Sequence, residues 1–293
     1  CRKIYRNKVA YAFVTPYYIL FFIFTIIPVL TAIYYSFTYY NILENPMFVG
    51  WSNYAKLLLK DDIFILAWKN TLVFASITGP IGYVASFVLA WIINEMKPGI
   101  RALFVVIFYM PSLSGNAYLI WKLLFSEDRY GYINSFLLRI GSISEPILWL
   151  SNRKYIMPVL IIVALWMSIG TAFLAFIAGL QGIDKTLYEA GAIDGVRNRW
   201  QELRYITLPT MKPQLMFGAV MSITNSFAVS GISVQLVGFP SVDYAGHTVI
   251  THLMDYGSIR YDMGYACAIA TILFLVMVFV NKLVQKALRK VGE

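Results

Sequence analysis

An amide and two hydroxyls recur at helical spacing inside an otherwise apolar stretch: Ser222, Asn225 and Ser226. Residues three and four apart lie on one helix face. In a hydrocarbon setting such groups are costly unless each finds a hydrogen-bond partner. Two kinds of partner fit. One is a polar group on a neighbouring helix, since Ser and Asn often bond across membrane helices. The other is a hydroxyl-rich solute such as a sugar, held by amide and hydroxyl groups with aromatic faces against its ring. Ser168 and Trp166 in the preceding apolar stretch, and Tyr109 in the one before that, are further candidates for the second reading. Trp166 also fits simple packing or an interface anchor.

The other chemistry-bearing segment is charged. Residues 187–209 are flanked by long uncharged runs and carry Glu189, Asp194, Arg197, Arg199, Glu202 and Arg204. Good helix formers occupy 187–194, with Leu187 and Ala190 at helical spacing. Gly195 then ends the helix, as a Gly just past a helix terminus does. A second short amphipathic helix is expected over 197–204, and Pro209 suits the first turn of the next. The segment reads as helix, Gly elbow, helix, all on one side of a membrane.

The elements that must position these groups follow from composition. The 293 residues are 59% hydrophobic and 13% charged, with mean hydropathy +0.66. A soluble domain carries roughly a quarter charged residues, so the apolar excess has to face lipid. Uncharged stretches run over 9–43, 71–94, 102–121, 155–183, 213–242 and 263–281. About 20 predominantly apolar residues cross a bilayer core, and helices satisfy their own backbone there. The expectation is an all-α integral membrane protein and one domain over 1–293. Its six spans fall near 11–37, 70–94, 102–124, 156–181, 210–236 and 264–286, with a loop over 184–208. With the N-terminus inside, 15 of the 24 Lys and Arg fall on the inner side and 9 outside. That bias places both termini and the 184–208 loop in the cytoplasm. It also accounts for the net charge of +9 without nucleic acid. Cys1 and Cys267 suggest no disulfide framework. Cys1 stands where a Met would, so a longer natural N-terminus is expected.

The charged segment resembles the "EAA" loop of permease subunits in binding-protein-dependent ATP-binding-cassette importers. Its pattern falls on Glu189, Ala190, Gly191, Gly195, Ile206, Leu208 and Pro209. Gly191 replaces the second alanine, which weakens the helix by up to about 1 kcal/mol. The spacer from Gly195 to Ile206 is one residue longer than the pattern, which bears on docking angle. Further pieces in family order are the 48–54 stretch around Gly50 and Trp51, Lys69-Asn70-Thr71, Trp121-Lys122-Leu123, and Tyr130-Gly131-Tyr132. Over nearly the whole chain these resemble the carbohydrate importers of the maltose and glycerol-3-phosphate type, in a near-minimal six-helix form.

The resemblance implies a type I importer permease fold in the cytoplasmic membrane of a bacterium or archaeon. It implies ATPase coupling through Glu189, Ala190, Gly191, Asp194 and Gly195. Asn225, placed after Lys212-Pro213, matches an Asn that contacts sugar in the family. The implied partners are a second related permease, two ATPase subunits, an extracytoplasmic solute-binding protein and membrane lipid. ATP and Mg are used by the ATPase, and this chain itself carries no cofactor and no catalytic residue. The implied solute is a di- or oligosaccharide. Another solute such as glycerol phosphate or a modified sugar is the alternative within the family, and a stand-alone secondary carrier is the alternative outside it.

Absent motifs point the same way. The sequence has no glycine-rich phosphate loop ending in Lys-Ser or Lys-Thr, and no ionisable pair within the six uncharged stretches of the kind ion-driven carriers use. The outward loops 125–154 and 238–262 read either as solvated loops or as a docking surface for the binding protein. His247, His252 and Asp255 lack closed metal-ligand spacing, so no metal site is expected.

Overall fold

The computed structural model describes residues 8–115 and 117–289. Its chain divides into two compact units, residues 1–64 with 252–274, and residues 65–251 with 275–293. Among the described residues, five helices are long and apolar enough to cross a membrane, or six when a bent pair counts as one span.

The first unit opens with α1 (Lys8–Phe21), a π-helical turn and α2 (Ile27–Tyr35). Its span Tyr11–Tyr35 is apolar throughout and unburied, with Phe13 82% and Phe24 73% exposed. A helix apolar on every side belongs in lipid or a larger core. A two-residue hairpin pairs β1 (Thr38–Tyr39) with β2 (Met47–Phe48). The Asn53 amide on α3 (Ser52–Leu59) donates to the carbonyls of Ser36 and Thr38, each at 2.9 Å. Asp61 caps the next helix, α4 (Asp62–Asn94), by accepting from the Phe64 N–H at 2.9 Å, as an N-cap carboxylate should. Behind it lies a buried cluster. Tyr265 donates its hydroxyl to Asp61 Oδ2 at 2.7 Å, and His252 Nε2 lies 3.0 Å from the same oxygen. His252 is 2% exposed, so this part of the 238–262 loop is packed rather than solvated.

The 33 residues of α4 extend about 50 Å, well beyond the roughly 30 Å hydrocarbon core. It begins eight residues before the span expected at 70. In the second unit α4 is followed by α5 (Pro98–Leu113) and α6 (Ala117–Leu124), whose axes diverge by 83°. The span expected over 102–124 is therefore not one straight helix. Then come α7 (Tyr132–Arg139), α8 (Arg153–Met167), α9 (Thr171–Gln181), α10 (Lys185–Ile193), α11 (Arg199–Glu202), α12 (Lys212–Phe227), α13 (Gly231–Val237) and α14 (Val249–Met254). The last long helix is α15 (Met263–Arg289).

Two apolar cores hold this unit together. In one, the Phe176 ring meets Tyr83 and Phe87 edge-on at 5.6 and 5.5 Å. α9 packs along α12 closely enough that a Cβ at Gly218 would stand 2.3 Å from the Phe176 ring. In the other, Phe74, Ile156, Leu160 and Val163 pack with Ile232 and Leu236. The 238–251 stretch is also tied down. Asn70 donates to the carbonyls of Tyr244 and His247 at 3.0 and 2.9 Å, and Thr71 Oγ1 accepts from the Val249 N–H at 2.9 Å. His247, like His252, is 2% exposed, so both histidines are buried.

Two spans are interrupted at one feature. α8 ends at Ser168 and α9 restarts after Gly170; α12 ends at Ala228 and α13 restarts at Gly231. Broken backbone at membrane depth is tolerated where it is buried in protein or lines a cavity.

Candidate functional site

Beside these breaks lies a cavity of 470 Å³, within the size range of small-molecule sites, roughly 300–1,000 Å³. α4 supplies Thr78, Gly82, Tyr83 and Ser86 to its wall; α12 supplies Met221, Ser222, Asn225 and Ser226. Tyr109 and Ser112 come from α5, Tyr118 from α6, and Ser168 from the end of α8. Glycines let the elements close in. A Cβ at Gly82 would stand 2.9 Å from Ser168 Cβ, and one at Gly79 would stand 3.2 Å from Ser226 Oγ.

Five of the six residues selected by type and spacing therefore meet in one cavity: Tyr109, Ser168, Ser222, Asn225 and Ser226. The sixth, Trp166, is not among the residues that line it. It meets Trp121 edge-on at 5.4 Å and is 38% exposed. The sequence reading missed Tyr83, Tyr118, Thr78 and Ser86. Only the helical spacing of Thr78, Tyr83 and Ser86 on α4 hints at a shared face, and the hydroxyls there are as ordinary as any in an apolar helix; Tyr118, on α6, gave no such signal.

The two readings of the polar face separate by residue. Ser222 Oγ donates across to the Gly79 carbonyl at 2.8 Å, so it does bond between helices. Ser226 donates to its own helix at Ile223 O, 2.9 Å. The Asn225 side chain is exposed to the cavity and forms no hydrogen bond with another described residue. Its amide is not an interhelical tie within this chain.

The second feature is the loop. α10 is capped by Asp184, which accepts from the Thr186 N–H at 3.0 Å. That hydrogen bond holds the Asp184 carboxyl below its usual range. Asp184, not Glu189, thus occupies the acid-favouring N-terminus; Glu189 sits mid-helix and exposed. At the other end Gly195 has φ +94°, open to Gly but strained for a side chain. Val196 N–H donates to Gly191 O at 2.9 Å and Gly195 N–H to Ala192 O at 3.3 Å, the paired bonds of a Schellman C-cap. Gly191 has its own reason. A Cβ there would stand 2.6 Å from Ile206 Cδ1, so its small size serves packing within the chain. Ala190, Asp194 and Ile193, the last 86% exposed, face outward.

The second helix starts at Arg199, two residues later than expected. Asn198 caps it through the Gln201 N–H at 2.9 Å, and Gln201 Oε1 accepts from the Arg197 N–H at 2.8 Å. Arg199 then pairs with Glu202 and with Glu95 at the end of α4. Trp200 packs on Trp91 at 5.5 Å between ring centres. The Tyr188 and Thr207 hydroxyls lie 3.0 Å apart, joining α10 to the stretch that leads into α12.

Fold and site define a multi-pass, predominantly helical membrane protein with a polar cavity between interrupted spans and an exposed helix–Gly–helix loop. Residues 80–290 match the binding-protein-dependent transport system inner membrane component family, and the chain belongs to it. It is 28% identical over 284 residues to the probable ABC transporter permease YesP of Bacillus subtilis, covering 96% of this chain and 90% of that protein. It is 32% identical over 281 residues to the arabinooligosaccharide permease AraP of the same organism, covering 94% and 88%. With the lactose permease LacF of Rhizobium radiobacter it shares 32% over 222 residues, covering 75% and 73%. A chain of a bacterial alginate ABC transporter has the same fold, with TM-score 0.77 at 23% identity, covering 100% of this chain and 98% of that one.

Proposed function

We propose that this chain is the membrane-spanning subunit of an ATP-driven importer that moves a carbohydrate, a di- or oligosaccharide, through the cavity between its interrupted spans. The observation that carries the reading is the open Asn225 amide in a cavity ringed by hydroxyls and tyrosines. Amides and hydroxyls match sugar hydroxyls, and Tyr faces suit a pyranose or furanose ring. The names of AraP and LacF, an arabinooligosaccharide and a lactose permease, support the solute class. The alginate transporter of similar fold was captured with a sugar-loaded periplasmic protein, which supports delivery by an extracytoplasmic binding protein. The setting is the cytoplasmic membrane of a bacterium or archaeon.

In this reading ATP and Mg act in a separate ATPase, bound in two copies, and a second permease completes the pathway. The exposed face of Glu189, Ala190, Ile193 and Asp194 is the surface offered to the ATPase. Movement of α10 reaches the cavity by two routes: through Thr207 into α12, and through Arg199 into α4. The subunit binds, orients and releases solute and makes or breaks no covalent bond.

The test is uptake of labelled oligosaccharide by cells expressing the chain with its genomic neighbours. Accumulation should require both the secreted binding protein and ATP. Robust uptake in cells lacking every binding protein, or ATP hydrolysis by the pure chain free of other ATPases, would overturn the reading.

A further inference from the structure

Seven hydroxyls on the cavity wall have already used their O–H. Thr78 Oγ1 donates to Phe74 O at 2.8 Å, and Ser112 Oγ to Tyr109 O at 2.7 Å. Ser168 Oγ donates to Leu165 O at 2.7 Å, Ser222 Oγ to Gly79 O at 2.8 Å, and Ser226 Oγ to Ile223 O at 2.9 Å. Ser86 Oγ and the Tyr83 hydroxyl reach Ser168 O and Leu215 O at 3.4 and 3.3 Å. A hydroxyl has one proton to give and two lone pairs to receive with. Once the proton is turned onto a backbone carbonyl, what remains for a ligand is lone pairs. No Asp, Glu, Lys, Arg or His stands among the described residues of the wall. The donors left for a ligand are neutral: the Asn225 amide and the hydroxyls of Tyr109, Tyr118 and Thr171, none of which hydrogen-bonds through its side chain to a described residue.

We infer that this acceptor-rich, uncharged wall selects a neutral polyhydroxylated solute and rejects the uronate or phosphate form of the same sugar. The inference rests on the reading of this cavity as the carbohydrate site. A sugar hydroxyl donates to the lone pairs that the half-buried Tyr83, Ser112, Ser168 and Ser222 present; Thr78, Ser86 and Ser226 are buried behind them. A carboxylate, or a fully ionised phosphate, accepts only; it meets the same lone pairs head-on, gives up water, and finds no cation among the described residues of the wall. The distinction bears on relatives as well, since the structurally similar importer takes an acidic polysaccharide.

The experiment uses matched pairs on the assembled complex, with its companion permease and ATPases, in nanodiscs and without binding protein. Each neutral trisaccharide of glucose or galactose is set beside its uronic-acid counterpart, and equilibrium binding is measured by calorimetry. The neutral member should bind at least about tenfold more tightly, and Asn225→Ala should weaken it severalfold. Adding one cation, as Thr171→Lys, should narrow or reverse the preference, which a purely structural change would not do. Equal or tighter binding of the uronate by the unaltered complex overturns the inference. That outcome leaves the importer reading standing if ATP-driven, binding-protein-dependent accumulation persists in cells; loss of that accumulation for every sugar sinks the importer reading instead.

Discussion

Arg199 reaches across 104 positions to place its Nη2 2.9 Å from Glu95 Oε2, so the loop's second helix is tied to the end of the span that walls the cavity. The same guanidinium holds Glu202 at 2.6 Å. The Glu202 hydrogen bond first, and then the Glu95 charge, hold Arg199 above its usual range. Arg199 and Glu95 are 62% and 45% exposed, and exposed pairs contribute about 1 kcal/mol or less to stability. The pair matters for direction: together with Trp200 on Trp91 it links α11 to the end of α4.

Arg199→Ala and Glu95→Gln should therefore leave thermal unfolding of the complex nearly unchanged while lowering substrate-stimulated ATP turnover. A double-mutant cycle on turnover should show coupling between the two positions. Additive effects on turnover would mean the pair is an incidental surface contact.

Gly195→Val should uncouple ATP hydrolysis from transport without preventing assembly. A β-branched residue at φ +94° is strained, by about 1–2 kcal/mol for the left-handed region, and the Schellman cap loosens. Gly195→Asn should be milder, because Asn tolerates positive φ. Glu189→Lys should weaken ATPase attachment through charge alone, since Glu189 lies exposed in mid-helix. Full substrate-stimulated transport by both Gly195→Val and Glu189→Lys would remove the loop from the coupling path.

Asn225→Ala should slow transport while the complex assembles normally, because its amide ties nothing together within the chain. Loss of one neutral hydrogen bond to the solute is about 0.5–1.5 kcal/mol, a several-fold effect on apparent affinity. Ser222→Ala, by contrast, removes the bridge to Gly79 and should lower the unfolding temperature as well. If Asn225→Ala fails to assemble, the amide serves as a tie to a partner subunit.

The Asp61–His252 cluster gives stability a pH dependence. Burial pushes the His252 imidazole down, against the pull of Asp61. For Asp61, burial pushes up, but the Tyr265 hydroxyl, the Phe64 N–H and His252 outweigh it and hold the carboxyl below its usual range. In both cases the unfolded chain binds protons more readily than the folded one, so stability falls as pH falls. The His252 contribution is complete above about pH 6.5 and is lost below it; the Asp61 contribution is lost below about pH 4. Unfolding temperature in detergent should drop between pH 7 and 5, and His252→Asn should flatten that window. A flat or rising profile in the unaltered protein would contradict the assignment.

The sequence alone settled those features that local chemistry decides. Charge-free runs of bilayer length specify spanning helices whatever surrounds them, since backbone groups in lipid have no other partner. Gly195 marked the end of α10 because a positive φ is a one-residue property. The 3.6-residue period put Ser222, Asn225 and Ser226 on one face. What those groups do is not local. Whether Ser222 bonds Gly79 or a ligand depends on how closely α4 approaches α12, and that distance is set by Gly79 and Gly82 together with the helix breaks at 168–170 and 228–230. Trp166 was indistinguishable from a lining aromatic in the sequence; in the fold it meets Trp121 edge-on and lies outside the cavity wall. Gly191 read as a departure from a pattern, and only the packing of Ile206, 15 positions on, explains its missing methyl. The polarity of the cavity was likewise hidden: a serine's letter says it has one proton and two lone pairs, but only the neighbouring carbonyl determines which of them is left to face a solute.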